Sequence, residues 1–276
     1  MRILDLDTWA DFPNAIAGIR GEYGSHSIEI ADRTETLPND ILFRGQSDSE
    51  WKLQTTLERI TDEKYSIPRY LQRADSVVNE IESLTGKSWQ LPAFPDICRA
   101  INEVQDSLRS HLPCYEYLVY LRHHGFPSPL LDWTRSPYVA AYFALEQSNN
   151  AERCSVFAFI ERPEGGKTLC EGDATIDSMG PYITTHVRHF AQKAQYTIAT
   201  HWDRESKTHY FCSHHDVSPP LVGKQDVLIK VTIPRSDRIT ALKQLEDYNI
   251  NHYTLFQSED SLIRSLGLRA FEIDGT

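Results

Sequence analysis

The sequence lacks the marks of secreted, membrane-spanning and disordered chains. Its cysteines are odd in number and irregularly spaced, which gives no disulfide framework. The N-terminus has no apolar core of the kind found in signal peptides, and no apolar run approaches the roughly 20 residues that cross a membrane. We therefore expect a folded protein of the reducing cytoplasm that does not associate with membranes. The cysteines are Cys98, Cys114, Cys154, Cys170 and Cys212.

Basic side chains are scarce, with 28 lysines and arginines against 39 aspartates and glutamates and a net charge of −11. A surface with this charge repels phosphate backbones, so broad nucleic-acid binding is disfavoured. Net charge averages over the whole surface, however, and a local basic pocket remains compatible with it.

Several nucleotide-binding and catalytic motifs are also missing. The chain has no GxGxxG or GxxxxGK[ST] loop for phosphates, no GxSxG for a nucleophilic serine and no HExxH for zinc. Segment 212–216, Cys-Ser-His-His-Asp, contains metal-ligand residue types, but no second pair completes a tetrahedral site. This favours a solvated loop there, and we expect no metal cofactor.

What the sequence does contain predicts a single α+β domain over residues 1–276. Hydrophobic residues make up 40% of the chain, which is enough for a substantial core. An N-terminal helix capped by Asp7 and a polar loop over 20–40 precede a core over 41–276. Helical patterns crowd the first half and strand patterns the second, which favours α+β over a doubly wound sheet.

The boundaries of these elements follow from hydrophobic periodicity. The first helix has Trp9, Phe12, Ile16 and Ile19 on one face. The other predicted helices lie at 67–84, 97–108, 115–121, 138–145, 237–248 and 258–266. The predicted strands lie at 41–43, 154–160, 196–199, 226–233 and 268–273.

The first candidate segment is Phe43-Arg44-Gly45-Gln46, at the end of a predicted buried strand. Arg44 can present its guanidinium to a phosphate or carboxylate, and Gly45 lets a ligand or another backbone approach closely. A structural ion pair beside a turn glycine is the alternative interpretation.

The second candidate segment runs from His123 into the helix that begins at Pro137. Asp132, Trp133 and Thr134 come just before Ser136, which has the position of a helix N-cap. The hydroxyls and the free amides of the first helical turn can bond a ligand hydroxyl or phosphate. Taken singly, Ser136 fits a cap, Trp133 a core residue and Asp132 a loop brace.

A third segment, residues 188–197, places Arg188 and Gln192 just before a predicted strand that begins at Tyr196. Side-chain amides orient ligands well but are poor general bases. The alternative is an ordinary junction between a helix and a strand.

Taken together, these segments resemble the FRG domain family, which is named after a phenylalanine-arginine-glycine motif. Phe43-Arg44-Gly45-Gln46 is similar to that motif, and the block from Leu121 to Pro137 is similar to the family's most distinctive stretch. Arg188, Gln192 and Tyr196 fit a later pattern, so the resemblance spans roughly residues 40 to 267. The chain departs from the family pattern at Arg122, where glutamine is usual, and at Ser128-Pro129, Ala194 and Tyr196.

The motif order of this family resembles that of ADP-ribosyltransferases, which implies a similar core and NAD as co-substrate. The resemblance implies that Arg44 binds the pyrophosphate or ribose and that Asp132 stabilises the cation formed when the nicotinamide bond breaks. Gln192 stands at the position where such enzymes often have glutamate. The remaining residues expected at the ligand are Phe43, Gly45, Gln46, His123, Trp133, Thr134, Ser136, Arg188 and Tyr196.

Three functions are compatible with these residues. The first is an NAD-consuming ADP-ribosyltransferase or hydrolase, whose macromolecular acceptor the sequence does not identify; a bacterial or phage toxin or defence protein would suit it. The second is a sensor that binds a nucleotide without reaction, since Gln192 supplies no negative charge. The third is an interaction module in which the motifs support only the fold.

Overall fold

A computed structural model describes residues 1–30, 33–104, 108, 112–166, 173–180, 187–217 and 226–275. The predicted helix at 97–108 lies partly outside these residues, and Cys170 lies wholly outside them. Among the described residues, no helix has both the length and the apolar character needed to cross a membrane. The described cysteines are Cys98, Cys114, Cys154 and Cys212, and all are free thiols.

Ten strands form a mixed sheet and a separate hairpin in the described part of the chain. The strands are β1 (Arg2–Asp5), β2 (Ser25–Ile30), β3 (Arg33–Pro38), β4 (Ile41–Gln46), β5 (Leu131–Thr134), β6 (Arg153–Ile160), β7 (Thr175–Ser178), β8 (Ala194–Asp203), β9 (Thr208–Phe211) and β10 (Val227–Pro234). The sheet order is β1-β10-β6-β4-β5-β8-β7, with β9 also paired to β8, and β2 pairs only with β3. Only β1 and β10 are parallel; the other pairs are antiparallel. The α+β prediction is confirmed.

The α-helices of the described residues pack around this sheet. They are α1 (Phe12–Tyr23), α2 (Ile67–Asp75), α3 (Val78–Thr85), α4 (Phe94–Glu103), α5 (Tyr115–His123), α6 (Pro137–Leu145), α7 (Val187–Ala191), α8 (Arg238–Asp247), α9 (His252–Phe256) and α10 (Glu259–Leu268). Short 3-10 turns lie at Trp9–Asp11 and Arg235–Asp237, and a π-helical turn lies at Arg269–Ile273.

Two core clusters occupy the same side of the sheet. The first packs α1, α6 and α8 on β4, β6 and β10. The second packs α2, α4 and α5 on β8. Between the two clusters, β5 joins β4 to β8. This junction is where the candidate site lies.

A third, smaller cluster covers the opposite side of the sheet. It contains Leu42, Trp133 and Phe159 from the strands and Leu53 from the loop after β4. Alternation of side chains along β4 therefore separates Phe43, in the first cluster, from Leu42.

The N-terminal region differs from its prediction in two ways. Residues Arg2–Asp5 form an edge strand on β10, and the following 3-10 turn is capped by Thr8 rather than Asp7. The segment 20–40, predicted as a loop, contains the β2–β3 hairpin, whose described side chains are mostly exposed. Hydrophobic periodicity did not reveal these strands because they bury little. The four apolar residues of the first helical face are buried as predicted.

Two other predictions need correction. No strand is predicted at Asp132-Trp133-Thr134, yet this segment belongs to strand β5 inside the sheet. The predicted last strand, 268–273, instead continues α10 as the π-helical turn, with Phe271 85% exposed. Ile273 packs this turn against α8. The prediction was wrong because the apolar pattern of so short a segment fits a half-buried helix as well as a strand.

Gly45 is required by close packing between β4 and α6. A Cβ at this position would lie 1.9 Å from the Ala140 carbonyl oxygen and 2.7 Å from the Ala144 amide nitrogen. Both are backbone atoms, which do not move aside as a flexible side chain does. Of the two roles open to this glycine, the structure shows the close approach of another backbone.

We predict that Gly45→Ala lowers the free energy of unfolding by about 3 kcal/mol, at the upper end for overpacking, because β4 must move away from α6. Urea unfolding followed by circular dichroism measures the change. Gly18→Ala is the matched control, since Gly18 lies exposed inside α1 with nothing within 4 Å of the added carbon. This control should be more stable by about 1 kcal/mol. Equal stability of wild type and Gly45→Ala would refute the packing argument.

Candidate functional site

The site forms where β4 and β5 separate. Along these strands Phe43 and Thr134 are the only pair in register, whereas β4 pairs with β6 along its whole length from Ile41 to Gln46. The guanidinium of Arg44 crosses the gap, and its Nη1 donates to the carbonyl oxygen of Asp132 at 2.7 Å. The Arg44 side chain thus donates to the Asp132 carbonyl a hydrogen bond that, in a continuous sheet, a backbone amide of β4 would donate.

A cavity of about 330 Å³ opens at this gap, which is within the range for small-molecule sites. Strands β4, β5 and β8 contribute to it together with α5, α6, α7 and α9. Its walls contain apolar side chains, most prominently Phe143 and Phe256, and several charged ones. The lining residues that the sequence predicted are Phe43, Arg44, Gly45, His123, Asp132, Trp133, Thr134, Arg188, Gln192 and Tyr196.

Asp132 is held by two arginines in different ways. Arg44 bonds its backbone carbonyl, and Arg122, at the end of α5, donates from Nη2 to the carboxylate oxygen Oδ2. The Arg122 side chain is 15% exposed and that of Asp132 is 41% exposed. Because water reaches the carboxylate, such an ion pair contributes only about 0–1 kcal/mol to stability.

Both arginines retain buried donors without a partner. The Nε atoms of Arg44 and Arg122 are buried, and neither has a hydrogen-bond partner among the described residues. Burial lowers the pKa of Arg44 to about 10, against the opposing charge of Asp132, so Arg44 is still cationic at neutral pH. Unsatisfied cationic donors beside a cavity favour an anionic ligand, since an unmade buried hydrogen bond costs about 1–3 kcal/mol.

The far wall of the cavity comes from α7 and α9. Arg188 lies over the ring of Phe256, 5.5 Å from the ring centre. Gln192 donates its side-chain amide to the carbonyl of Leu255 at 3.1 Å, and its own backbone carbonyl accepts a bond from the Thr134 hydroxyl at 2.6 Å. Gln192 therefore ties α7 to both α9 and β5, in addition to lining the cavity.

Tyr196 forms a small hydrogen-bonded group with two histidines. Its fully buried hydroxyl lies 2.8 Å from Nε2 of His123 and 3.4 Å from Nδ1 of His189. A phenol has one proton, so it donates to one ring and must accept from the other. Burial lowers the pKa of His123 to about 4, although the nearby Asp132 acts in the opposite direction, and burial also lowers the pKa of His189. Both imidazoles are therefore neutral at pH 7.

The structure places other predicted residues in structural roles. Trp133 has its ring in the third core cluster and donates from Nε1 to the Thr197 hydroxyl at 2.7 Å. Ser136 lies outside the cavity and caps α6 by accepting from the Val139 amide at 3.3 Å. Gln46 is buried beyond the cavity and donates to the carbonyl of Lys52 at 3.0 Å.

His214 is almost fully buried, in contrast to the solvated loop predicted for 212–216. Its Nε2 lies 2.9 Å from the hydroxyl of Thr197, the residue that also binds Trp133. Burial, with a contribution from the nearby charge of Arg44, lowers the pKa of His214 to about 3. Among the described residues, no group of three or more metal-ligand side chains occurs.

The cavity differs in charge from the rest of the molecule. Three arginines, Arg44, Arg122 and Arg188, line it together with one carboxylate, that of Asp132. Since His123 is neutral, three positive charges against one negative charge give the lining a formal charge of +2. The whole chain has a net charge of −11.

Five lining residues were not among those predicted for the site, and one of them, Ala194, is named above only as a departure from the family pattern. Arg122 had appeared only as a departure from a family pattern, although a basic residue at a helix end before a polar loop is a detectable signal. Ala140 and Phe143 lie on α6, whose nearly continuous apolar sequence does not indicate which face borders a cavity. Phe256 comes from α9, which was not predicted as a helix.

Comparison with known families supports the resemblance drawn from the motifs. Residues 39–153 match the FRG domain family. The match covers the β4, α5, β5 and α6 sides of the cavity, while α7, β8 and α9 lie beyond it. No curated protein and no solved structure matches the chain.

We predict a specific dependence of stability on pH from the burial of His214. An unfolded histidine has a pKa of about 6.5. As pH falls from about 6.5 towards 3, the unfolded chain takes up a proton that folded His214 excludes, so stability falls by at most about 1.4 kcal/mol per pH unit.

Urea unfolding at pH 7, 6 and 5 should show a smaller loss of unfolding free energy in His214→Gln than in wild type. The exposed His124, changed to glutamine, is the control; identical losses in wild type and His214→Gln would contradict the prediction.

Proposed function

We propose that this FRG-domain protein binds an NAD-type nucleotide in the cavity at the β4–β5 gap and cleaves its nicotinamide bond, passing ADP-ribose to water or to an acceptor. The observation that carries the proposal is the charge of the cavity. A formally positive lining inside a chain of charge −11 is a local arrangement, and it suits a ligand with phosphates.

The residues around the cavity divide into phosphate-binding and ring-binding groups. Arg44 comes from β4 and Arg188 from α7, both line the cavity, and a guanidinium can form two parallel hydrogen bonds with a phosphate. Phe143 and Phe256 pack edge to face, with ring centres 6.1 Å apart, and they offer apolar surface to a base or nicotinamide ring. A dinucleotide has both kinds of group.

In the proposed reaction, nicotinamide leaves with the electron pair of the glycosidic carbon–nitrogen bond. The ribose is left as an oxocarbenium-like cation, and the carboxylate of Asp132 stabilises this developing charge. Water or an acceptor then forms the new bond to the same carbon and releases one proton to solvent. Gln192 lacks a charge and binds the carbonyl of Leu255, so we assign it a positioning role.

A second function, nucleotide binding without turnover, is favoured by one specific observation. The carboxylate of Asp132 is paired with Arg122, and a paired carboxylate stabilises a neighbouring cation less than a free one does. Binding alone would use the same arginines and aromatic rings.

The test is nicotinamide release from NAD by the purified protein, with and without cell lysate as a source of acceptor. Asp132→Asn should lower kcat by about 100-fold, since the lost charge acts on the transition state. Arg188→Gln should act mainly by raising KM. Arg135→Gln is the matched control, because Arg135 forms an exposed ion pair with Asp40 outside the cavity.

Thermal unfolding with and without NAD, on the same protein samples, separates the possible outcomes. Stabilisation by NAD without release of nicotinamide would favour the binding function. Neither stabilisation nor release would refute the proposal and leave a structural role for the motifs.

A further inference from the structure

The backbone and the carboxylate of Asp132 are held independently. The backbone is fixed on both sides, because Asp132 is in register with Tyr196 on β8 and its carbonyl accepts a hydrogen bond from Arg44. The carboxylate has a different partner, Arg122, which comes from the end of α5. Removing Arg122 from the carboxylate therefore leaves the position of the Asp132 backbone unchanged.

The contact with Asp132 occupies few of the hydrogen-bond donors of the Arg122 guanidinium. Among the described residues, the only hydrogen bond of the Arg122 side chain runs from Nη2 to Oδ2 of Asp132, and the buried Nε has no partner. The Asp132 side chain is 41% exposed, and both residues line the cavity. A phosphate group has several anionic oxygens and can bond two guanidinium nitrogens at once, so it competes well for Arg122.

We propose that Arg122 determines the ligand specificity of the cavity by acting as a displaceable cover on Asp132: an anionic group of the ligand draws the guanidinium away and exposes the carboxylate. This inference rests on the proposed function, because it assumes that the ligand is bound in the same cavity. The inference further requires that the diphosphate of the ligand, and not only its rings, interacts with the cavity before Asp132 is exposed. A ligand that lacks an anionic group leaves Asp132 paired with Arg122.

The inference makes a thermodynamic prediction that a purely structural ion pair does not make. If a ligand must break the pair, then removing the Asp132 charge strengthens anion binding chiefly when Arg122 is present. If Asp132 merely repels anions through space, removing its charge strengthens binding equally with and without Arg122. A double-mutant cycle distinguishes these cases.

The experiment is isothermal titration of the full chain with inorganic pyrophosphate. The proteins are wild type, Asp132→Asn, Arg122→Gln and the double variant. We expect Asp132→Asn to bind pyrophosphate about fivefold more tightly than wild type, since a partly exposed ion pair no longer has to break. In the Arg122→Gln background the same change should alter affinity by less than about twofold. Arg122→Gln alone should weaken binding.

Two controls keep the result interpretable. Arg135→Gln removes the same charge outside the cavity and should bind pyrophosphate as wild type does. If Arg122→Gln unfolds, Arg122→Lys replaces it, because lysine keeps the charge but forms no planar pair of bonds; the gain from Asp132→Asn should then be reduced but not abolished.

Equal gains from Asp132→Asn in both backgrounds would overturn the inference, and so would the absence of pyrophosphate binding to wild type. Titration with NAD and nicotinamide release on the same samples assess the proposed function separately. If NAD is bound and cleaved but the effects of Asp132→Asn and Arg122→Gln on pyrophosphate binding are additive, the role of Arg122 as a cover is refuted and the proposed function is not. Binding of pyrophosphate with the predicted coupling, but no cleavage of NAD, would support the cover and refute the enzyme.

Discussion

The separation of β4 from β5 is the constraint on which the site depends. Two neighbouring strands in the middle of a sheet normally exchange backbone hydrogen bonds along their length, and here they share one pair in register. The unpaired backbone groups need other partners. Arg44 supplies one, and in doing so it brings a cation to the cavity that opens at this gap.

The two sides of the cavity differ in the kind of contact that holds their elements in place. On one side, β4 packs on α6 through backbone atoms, which leaves no room even for a methyl group at Gly45. On the other side, α7 and α9 are short helices joined to the sheet by the side chain of Gln192 and the hydroxyl of Thr134. Substitutions can therefore change the shape of the cavity more readily on the α7 and α9 side, where side-chain hydrogen bonds rather than close backbone packing hold the wall.

Most residues that line the cavity were predicted from the sequence, because they cluster in three short segments with polar groups beside buried elements. Sequence reasoning did not recognise β5 as a strand, because the alternation of apolar and polar residues in Leu131–Thr134 extends over only four residues. The roles of Trp133 and Ser136 in the core and in the helix cap are among the alternatives that single residues left open. The pairing of Arg122 with Asp132 depends on how the loop after α5 turns back, which local periodicity does not encode.

The parallel pairing of β1 with β10 has a consequence for how the protein is made. Arg2 lies opposite Ile229, so β1 pairs with a strand that is synthesised long after it. Strand β10 also lies between β1 and β6, which means that β1 has no strand to join until β10 has been synthesised. Pairs so distant in sequence form slowly because the loop must close first. During translation β1 therefore remains without its partner strand until β10 has emerged.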